Sequence, residues 1–156
     1  MNKLTKHIFL LFVVSSLALT GCNDLFKKGD VEKAYEGPDV VGFKPLQTTV
    51  NEGGSDATIE VQLISSQGLA SSDLTVNLSV DGGSTAAAAN YTLNSSSVTI
   101  SSGTASATFT VSFPADSGLD AGDEVTLLIN ISGGDVAASE NLDQTTIYIQ
   151  GVDDTP

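Results

Sequence analysis

The chain has 156 residues, 19 acidic against six basic, with a formal net charge of −13. Nucleic acid and anionic lipid are excluded as electrostatic partners, because both need a basic footprint that this chain lacks. No Arg is present to clamp phosphate or carboxylate substrates, and the only His and the only Cys fall within the first 22 residues.

The N-terminus opens with Lys3, Lys6 and His7, followed by IFLLFVVSSLAL at residues 8–19, twelve residues without a charge. Crossing the hydrocarbon core takes roughly 20 apolar residues, so this run is too short to span a membrane. A cationic head, a short apolar run and small residues at its end describe a secretory signal peptide over residues 1–21. Leu19, Thr20, Gly21 and Cys22 then resemble the lipobox of bacterial lipoproteins. The resemblance implies cleavage before Cys22 and lipidation of its thiol, with each buried CH₂ contributing about 0.8 kcal/mol to membrane attachment. An odd cysteine in an exported protein can also pair with a partner, but its position after the apolar run favours the anchor. The expected location is the bacterial cell envelope, as an outer-membrane lipoprotein, periplasmic or surface-facing.

Removal of the signal leaves Lys27, Lys28, Lys33 and Lys44 against all 19 acids, a formal charge of about −15. With His7 gone, Ser-His and Cys-His nucleophiles and His/Cys zinc sites are unavailable. Only carboxylate chemistry is left, and the chain is read as a non-enzyme. Residues 22–38 are polar, charged and close on Gly37 and Pro38, the composition of a tether. Residues 39–154 amount to one domain.

That domain alternates with period two. Strands are expected over residues 40–50 (broken near Pro45, which cannot donate to a ladder), 57–63, 74–80 and 97–101. Ala105, Ala107, Phe109, Val111 and Phe113 share one face of a long strand. Val125, Leu127, Ile129 and Ile131 share a face of the next, and Thr145, Ile147 and Ile149 of the last. Phe43, Phe109 and Phe113 are core candidates. Seven such strands and no helical periodicity after the signal predict an all-β, seven-stranded antiparallel immunoglobulin-like sandwich.

Reversing the chain at every loop sends nine carboxylates to one end of that sandwich: Glu52, Asp56, Asp81, Asp116, Asp120, Asp123, Glu124, Asp153 and Asp154. Like charges packed together repel unless a cation offsets them. Ca²⁺ accepts about six to eight oxygen ligands in flexible geometry, which loop carboxylates suit. The competing reading is ordinary loop chemistry, since Asp is a good turn residue; Asp81 with Gly82 and Gly83 reads equally as an Asx turn.

An ordered set of segments resembles the Calx-beta domain: Val41, Gly42 and Phe43; Val50 to Gly54 (VNEGG); DGGSTA from Asp81; Asn90 and Tyr91; VTISSG from Val98; Asp123 and Glu124; and IYIQGVDD closing at Asp154. The resemblance covers nearly all of residues 41–154 and is shared by small Bacteroidetes-type lipoproteins. It implies a seven-stranded sandwich, with Ca²⁺ in the binding members held at positions matching Glu52, Asp81, the acidic loop Asp116, Asp120, Asp123 and Glu124, and Asp153 with Asp154. Two departures stand out. The acids at 116–124 are diluted by Gly and Ala, and the family's Asp before Tyr is Asn90 here. The expected role is a surface binding or adhesion module with an unidentified protein partner, braced by Ca²⁺. The alternative is a metal-free immunoglobulin-like scaffold or accessory domain of a surface complex.

Overall fold

The computed structural model describes residues 35–115 and 117–152. The expected signal peptide, Cys22 and most of the tether lie outside the described residues, as do Asp116, Asp153 and Asp154. No helix among the described residues is long and apolar enough to cross a membrane.

Ten strands follow in chain order: β1 (Val40–Lys44), β2 (Gln47–Asn51), β3 (Ala57–Ile64), β4 (Leu74–Val80), β5 (Thr92–Leu93), β6 (Ser97–Ile100), β7 (Ser106–Ser112), β8 (Glu124–Gly134), β9 (Ala137–Ala138) and β10 (Gln144–Gln150). They form two five-stranded sheets, ordered β5-β7-β3-β1-β9 and β2-β10-β8-β4-β6. The expected count of seven is therefore corrected to ten among the described residues. The single strand expected at 40–50 is two strands in opposite sheets, and β5 and β9 are two-residue edge pieces, too short to alternate visibly.

The expected all-antiparallel pairing is also corrected. β1 runs parallel to β9, and β2 runs parallel to β10 from Gln47 opposite Thr146 to Asn51 opposite Gln150. The chain changes sheets between β1 and β2, at Pro45. The chain leaves one sheet there and enters the other beside β10, without the hairpin reversal that antiparallel pairing needs. Thr145, fully buried, donates its hydroxyl to the Pro45 carbonyl at 3.0 Å, and the Thr146 N–H donates to the Leu46 carbonyl at 2.9 Å. A buried hydroxyl with a partner avoids the cost of an unmade bond.

Alternation puts one face of each long strand inside. β3 buries Ala57, Ile59, Val61 and Leu63 while Thr58 and Gln62 stay exposed. From the facing sheet come Val76, Leu127, Ile129, Ile147 and Ile149, all fully buried. Phe43 and Phe109 meet with ring centroids 6.1 Å apart at 60°, a tilted pairing worth about 0.5–1.5 kcal/mol beyond area burial.

One irregularity shapes the far end of β8. Its register against β4 shifts between Asn77 and Leu78, which face Gly133 and Ile131 in turn, so Ser132 is the extra residue of a bulge. A Cβ on Gly134 (φ +139°) would stand 2.2 Å from the Thr75 carbonyl oxygen. Only glycine lets the two backbones approach so closely.

Candidate functional site

The acidic end is organised around the C-terminus of β10. On one side, the Glu52 N–H donates to the Gln150 carbonyl at 2.8 Å, extending the parallel β2–β10 ladder one residue past Asn51. On the other, the Gly151 N–H donates to the Asp123 carbonyl at 2.9 Å. A Cβ on Gly151 would stand 2.2 Å from the Asp120 carbonyl oxygen, so the turn at 120–123 packs directly on the end of the strand. Glu52 and the Asp120 turn therefore flank β10, on either side of the chain that leads into Asp153 and Asp154.

Glu52 is inside the protein, 3% exposed. Its neighbour Gly53 has φ +65°, the left-handed conformation that glycine supplies without a Cβ penalty. A Cβ there would also lie 3.1 Å from the Ala115 Cβ, so the bare backbone admits the β7–β8 loop against this turn. The Ser117 N–H then donates to Glu52 Oε1. Glu52 Oε2 is buried and has no hydrogen-bond partner among the described residues.

Asn90 reaches the same loop from the β4–β5 connection and is 4% exposed. Its Oδ1 accepts the Ala87 N–H at 2.6 Å, closing its own turn. Its Nδ2 donates to the Ser117 carbonyl at 3.2 Å and to Ser117 Oγ at 3.0 Å. Ser117 is thus held by two buried polar side chains from two other loops. Ser117 carries no signal in the sequence, and Asn90 shows there only as a departure from the resembled family's Asp; their pairing spans 27 positions and follows no local pattern.

The remaining acids have other employment. β4 ends opposite Ile129, so Asp81 lies beside Leu128, four residues along β8 from Glu124, or about 13 Å at strand rise. The chain from Asp81 then runs along β8, and the Ser84 and Thr85 hydroxyls accept the Leu128 and Thr126 N–H groups at 3.0 and 2.8 Å. Asp81 Oδ1 accepts the Gly83 N–H and Oδ2 accepts the Asn130 amide, both at 2.7 Å. Gly83's N–H first, and the Asn130 amide second, hold the Asp81 carboxyl below its ordinary range.

Asp123 Oδ2 accepts the Asp120 N–H at 3.2 Å, closing its own turn, and Glu124 Oε2 accepts the Gln150 amide at 3.1 Å. Among the described residues no three His, Cys, Asp or Glu side chains stand close enough to hold a metal ion. Glu52, Asp120, Asp123 and Glu124 gather at one end, and Asp81 stands apart from them. The other nominated positions, Cys22, Asp116, Asp153 and Asp154, are outside the described residues.

The orphaned Glu52 oxygen is what a hard cation fits. It is buried and has no donor among the described residues, and Asp120 and Asp123 stand across the end of β10 from it. An open groove of about 410 Å³ beside this end, between β2 and β3, is lined by Thr48, Asn51, Asp56 and Thr58 among others and contains a single carboxylate.

No protein-family model and no curated protein matches the sequence. Solved structures match the fold. The apo-form Calx CBD1 domain superposes with a TM-score of 0.62 at 15% identity, covering 75% of this chain and all of that one. The calcium binding domain CBD12 of CALX1.1 gives 0.59 at 16% identity, over 71% of this chain and 45% of that one. A protein of unknown function from Bacteroides ovatus gives 0.58 at 15% identity, over 74% and 52%. The described domain is a Calx-beta-like sandwich.

Proposed function

We propose that this chain is a lipid-anchored module of the bacterial cell envelope, attached through Cys22, whose Calx-beta-like sandwich presents loops for binding or adhesion and takes Ca²⁺ at its acidic end. The observation that carries the cation is Glu52 Oε2, a buried carboxylate oxygen with no donor among the described residues. Leaving such a group unpaired costs about 1–3 kcal/mol or more for a charge, and a bound divalent ion removes that cost. Glu52 would be the inner ligand. Asp120 and Asp123 lie in the turn on the other side of β10, Asp116 is next in sequence to Ser117, and Asp153 and Asp154 follow the end of β10. When bound, Ca²⁺ would neutralise the converging acids and brace the loops that a protein partner meets. The CALX1.1 structure, a calcium binding domain of the same fold, supports the reading.

A second reading has its own observation. Asp81, Asp123 and Glu124 already accept hydrogen bonds that shape the loops. In that case the sandwich is a metal-free scaffold or accessory domain, and the acids provide turns and solubility.

Calorimetric titration of Ca²⁺ into the mature chain in detergent, beside melting curves with Ca²⁺ and with chelator, separates the two. A native-state ligand at 100 times its Kd adds about 2.7 kcal/mol of stability. No heat and no melting shift at millimolar Ca²⁺ would leave the scaffold reading standing.

A further inference from the structure

Among the described residues the two sheets have four outer strands, β5, β9, β2 and β6. An outer strand with unpaired N–H and C=O groups is a template for another chain. Three of the four are blunted. β5 and β9 are only two residues long. On β6 the Ser95 hydroxyl accepts the Ser97 N–H at 3.2 Å and donates to the Ser97 carbonyl. Just beyond it, the Ser101 carbonyl accepts the Thr104 N–H and hydroxyl at 3.0 and 2.7 Å.

β2 carries no such device. Gln47–Asn51 has no Pro, no charge and no bulge. The Thr146 N–H donates to the Leu46 carbonyl and the Glu52 N–H to the Gln150 carbonyl, so the even-numbered residues turn their peptide groups toward β10. Alternation then points those of Gln47, Thr49 and Asn51 away from it. The Asn51 carbonyl accepts the Gly54 N–H at 3.0 Å. Both groups of Gln47 and Thr49, and the Asn51 N–H, have no partner among the described residues.

The groove beside this edge has a structural cause. β1 accompanies β3 only as far as Glu60, so from Ala57 to Ile59 β3 has β7 on one side and, among the described residues, no strand on the other. The opening of about 410 Å³ that results has half-buried Thr48 and Val50 on one wall and Ala57 and Thr58 on the other, and Asp56 is the one charge in its lining.

We propose that β2 is a strand-addition site, which takes an extended, basic segment of another polypeptide as the sixth strand of its sheet. Such a segment gains main-chain hydrogen bonds along the edge and sends alternate side chains into the groove. Charge decides between occupants. The whole chain carries −13, and Lys44 is the only basic side chain among the described residues. A second copy would bring like charge to this edge, whereas a Lys or Arg of the added segment meets Asp56. The inference goes beyond binding through the loops and needs neither the cation nor the lipid anchor.

The test is fluorescence anisotropy of labelled Lys-Thr-Val-Thr-Val-Thr-Lys and its Glu-ended counterpart with the mature chain in detergent, beside amide exchange read by NMR. The basic peptide should bind saturably, and the acidic one at least about tenfold more weakly. Thr49→Pro removes an N–H that faces away from β10, which an edge strand tolerates, and should raise Kd at least about tenfold. Thr49→Val keeps that N–H and should leave Kd within about twofold. Asp56→Asn should narrow the gap between the two peptides. In the free chain the Gln47 and Thr49 amides should exchange fast and those of Thr48 and Val50 slowly, and the basic peptide should slow the first pair. No saturable binding of the basic peptide overturns the proposal, as does an unchanged Kd in Thr49→Pro. Slow Gln47 and Thr49 amides in the free chain overturn it too: a second copy then holds the edge if the chain sediments as a dimer, and a segment of the same chain if it sediments as a monomer. If Thr49→Pro does not fold, Gln47→Pro takes its place, and if neither folds the slowing of the Gln47 and Thr49 amides by the peptide decides.

Discussion

The backbone N–H of Ser117 donates to the carboxylate of Glu52 across 65 residues of sequence, inside the protein rather than at its surface. One oxygen of that carboxylate is satisfied, and the other has no partner among the described residues. The asymmetry is the main chemical feature of the acidic end, and it can be tested directly.

Replacing Glu52 with Gln removes the charge and keeps an acceptor for the Ser117 N–H. In chelator the variant should melt higher than wild type, by about 4–8 °C if roughly 1 kcal/mol of burial cost is relieved. In millimolar Ca²⁺ the order should reverse, because only wild type gains the ion. Differential scanning calorimetry under both conditions reads this. A Glu52→Gln chain that gains as much from Ca²⁺ as wild type would remove Glu52 from the site.

Asp81 provides a pH signature of a different kind. Gly83 and Asn130 stabilise its anion, so its folded pKa lies below the ordinary 3.8. The folded state thus favours the charged form. Its contribution is complete above the ordinary value and is lost as pH falls through the lower folded value. Asp81→Ala should melt below wild type at pH 7, with a gap that narrows as the pH is taken below about 4. A gap unchanged from pH 7 to pH 2 would mean that the ionised carboxylate contributes nothing.

The core should behave as a tightly packed interior. Leu127 and Ile147 lie opposite one another on β8 and β10 and are fully buried. Truncating either to Ala should cost about 2–5 kcal/mol, seen as a lower denaturation midpoint in urea with unchanged slope. A loss under about 1 kcal/mol would place these side chains outside the core.

Gly134→Ala tests the bulge. The new Cβ would meet the Thr75 carbonyl at 2.2 Å, from a backbone conformation that L-residues rarely adopt. Strain of this kind costs of order 1–3 kcal/mol. Gly68→Ala is the comparison, since its φ is also positive (+74°) but no atom lies within 4 Å of its added Cβ. Equal losses would assign the cost to backbone conformation alone, whereas a larger loss at Gly134 shows the close approach.

Period-two alternation alone determined most of this sandwich. The faces carrying Ile59, Phe109, Val111, Leu127, Ile129 and Ile147 are legible because a strand must send alternate side chains to opposite sides, and only one side escapes water. The convergence of Glu52, Asp120, Asp123 and Glu124 at one end also follows from strand direction. Alternation says nothing about which sheet a strand joins. The entry of β2 beside β10, parallel to it, depends on the turn at Pro45 and on Thr145 within the facing strand. Two-residue β5 and β9 have no period to read.

Asp81 marks the same boundary within the candidate site. Its turn with Gly83 is a local pattern, readable from three adjacent residues. Its separation from Glu124 is not, because that depends on where β4 stops and on the Ser84 and Thr85 hydroxyls that carry the chain along β8. Charge, strand faces and turns are local properties, and the sequence states them directly. Which Glu52 oxygen takes the Ser117 N–H, and which amide holds the loop beside it, depend on contacts between positions 27 to 65 residues apart, and these exist only once the two sheets have closed on each other.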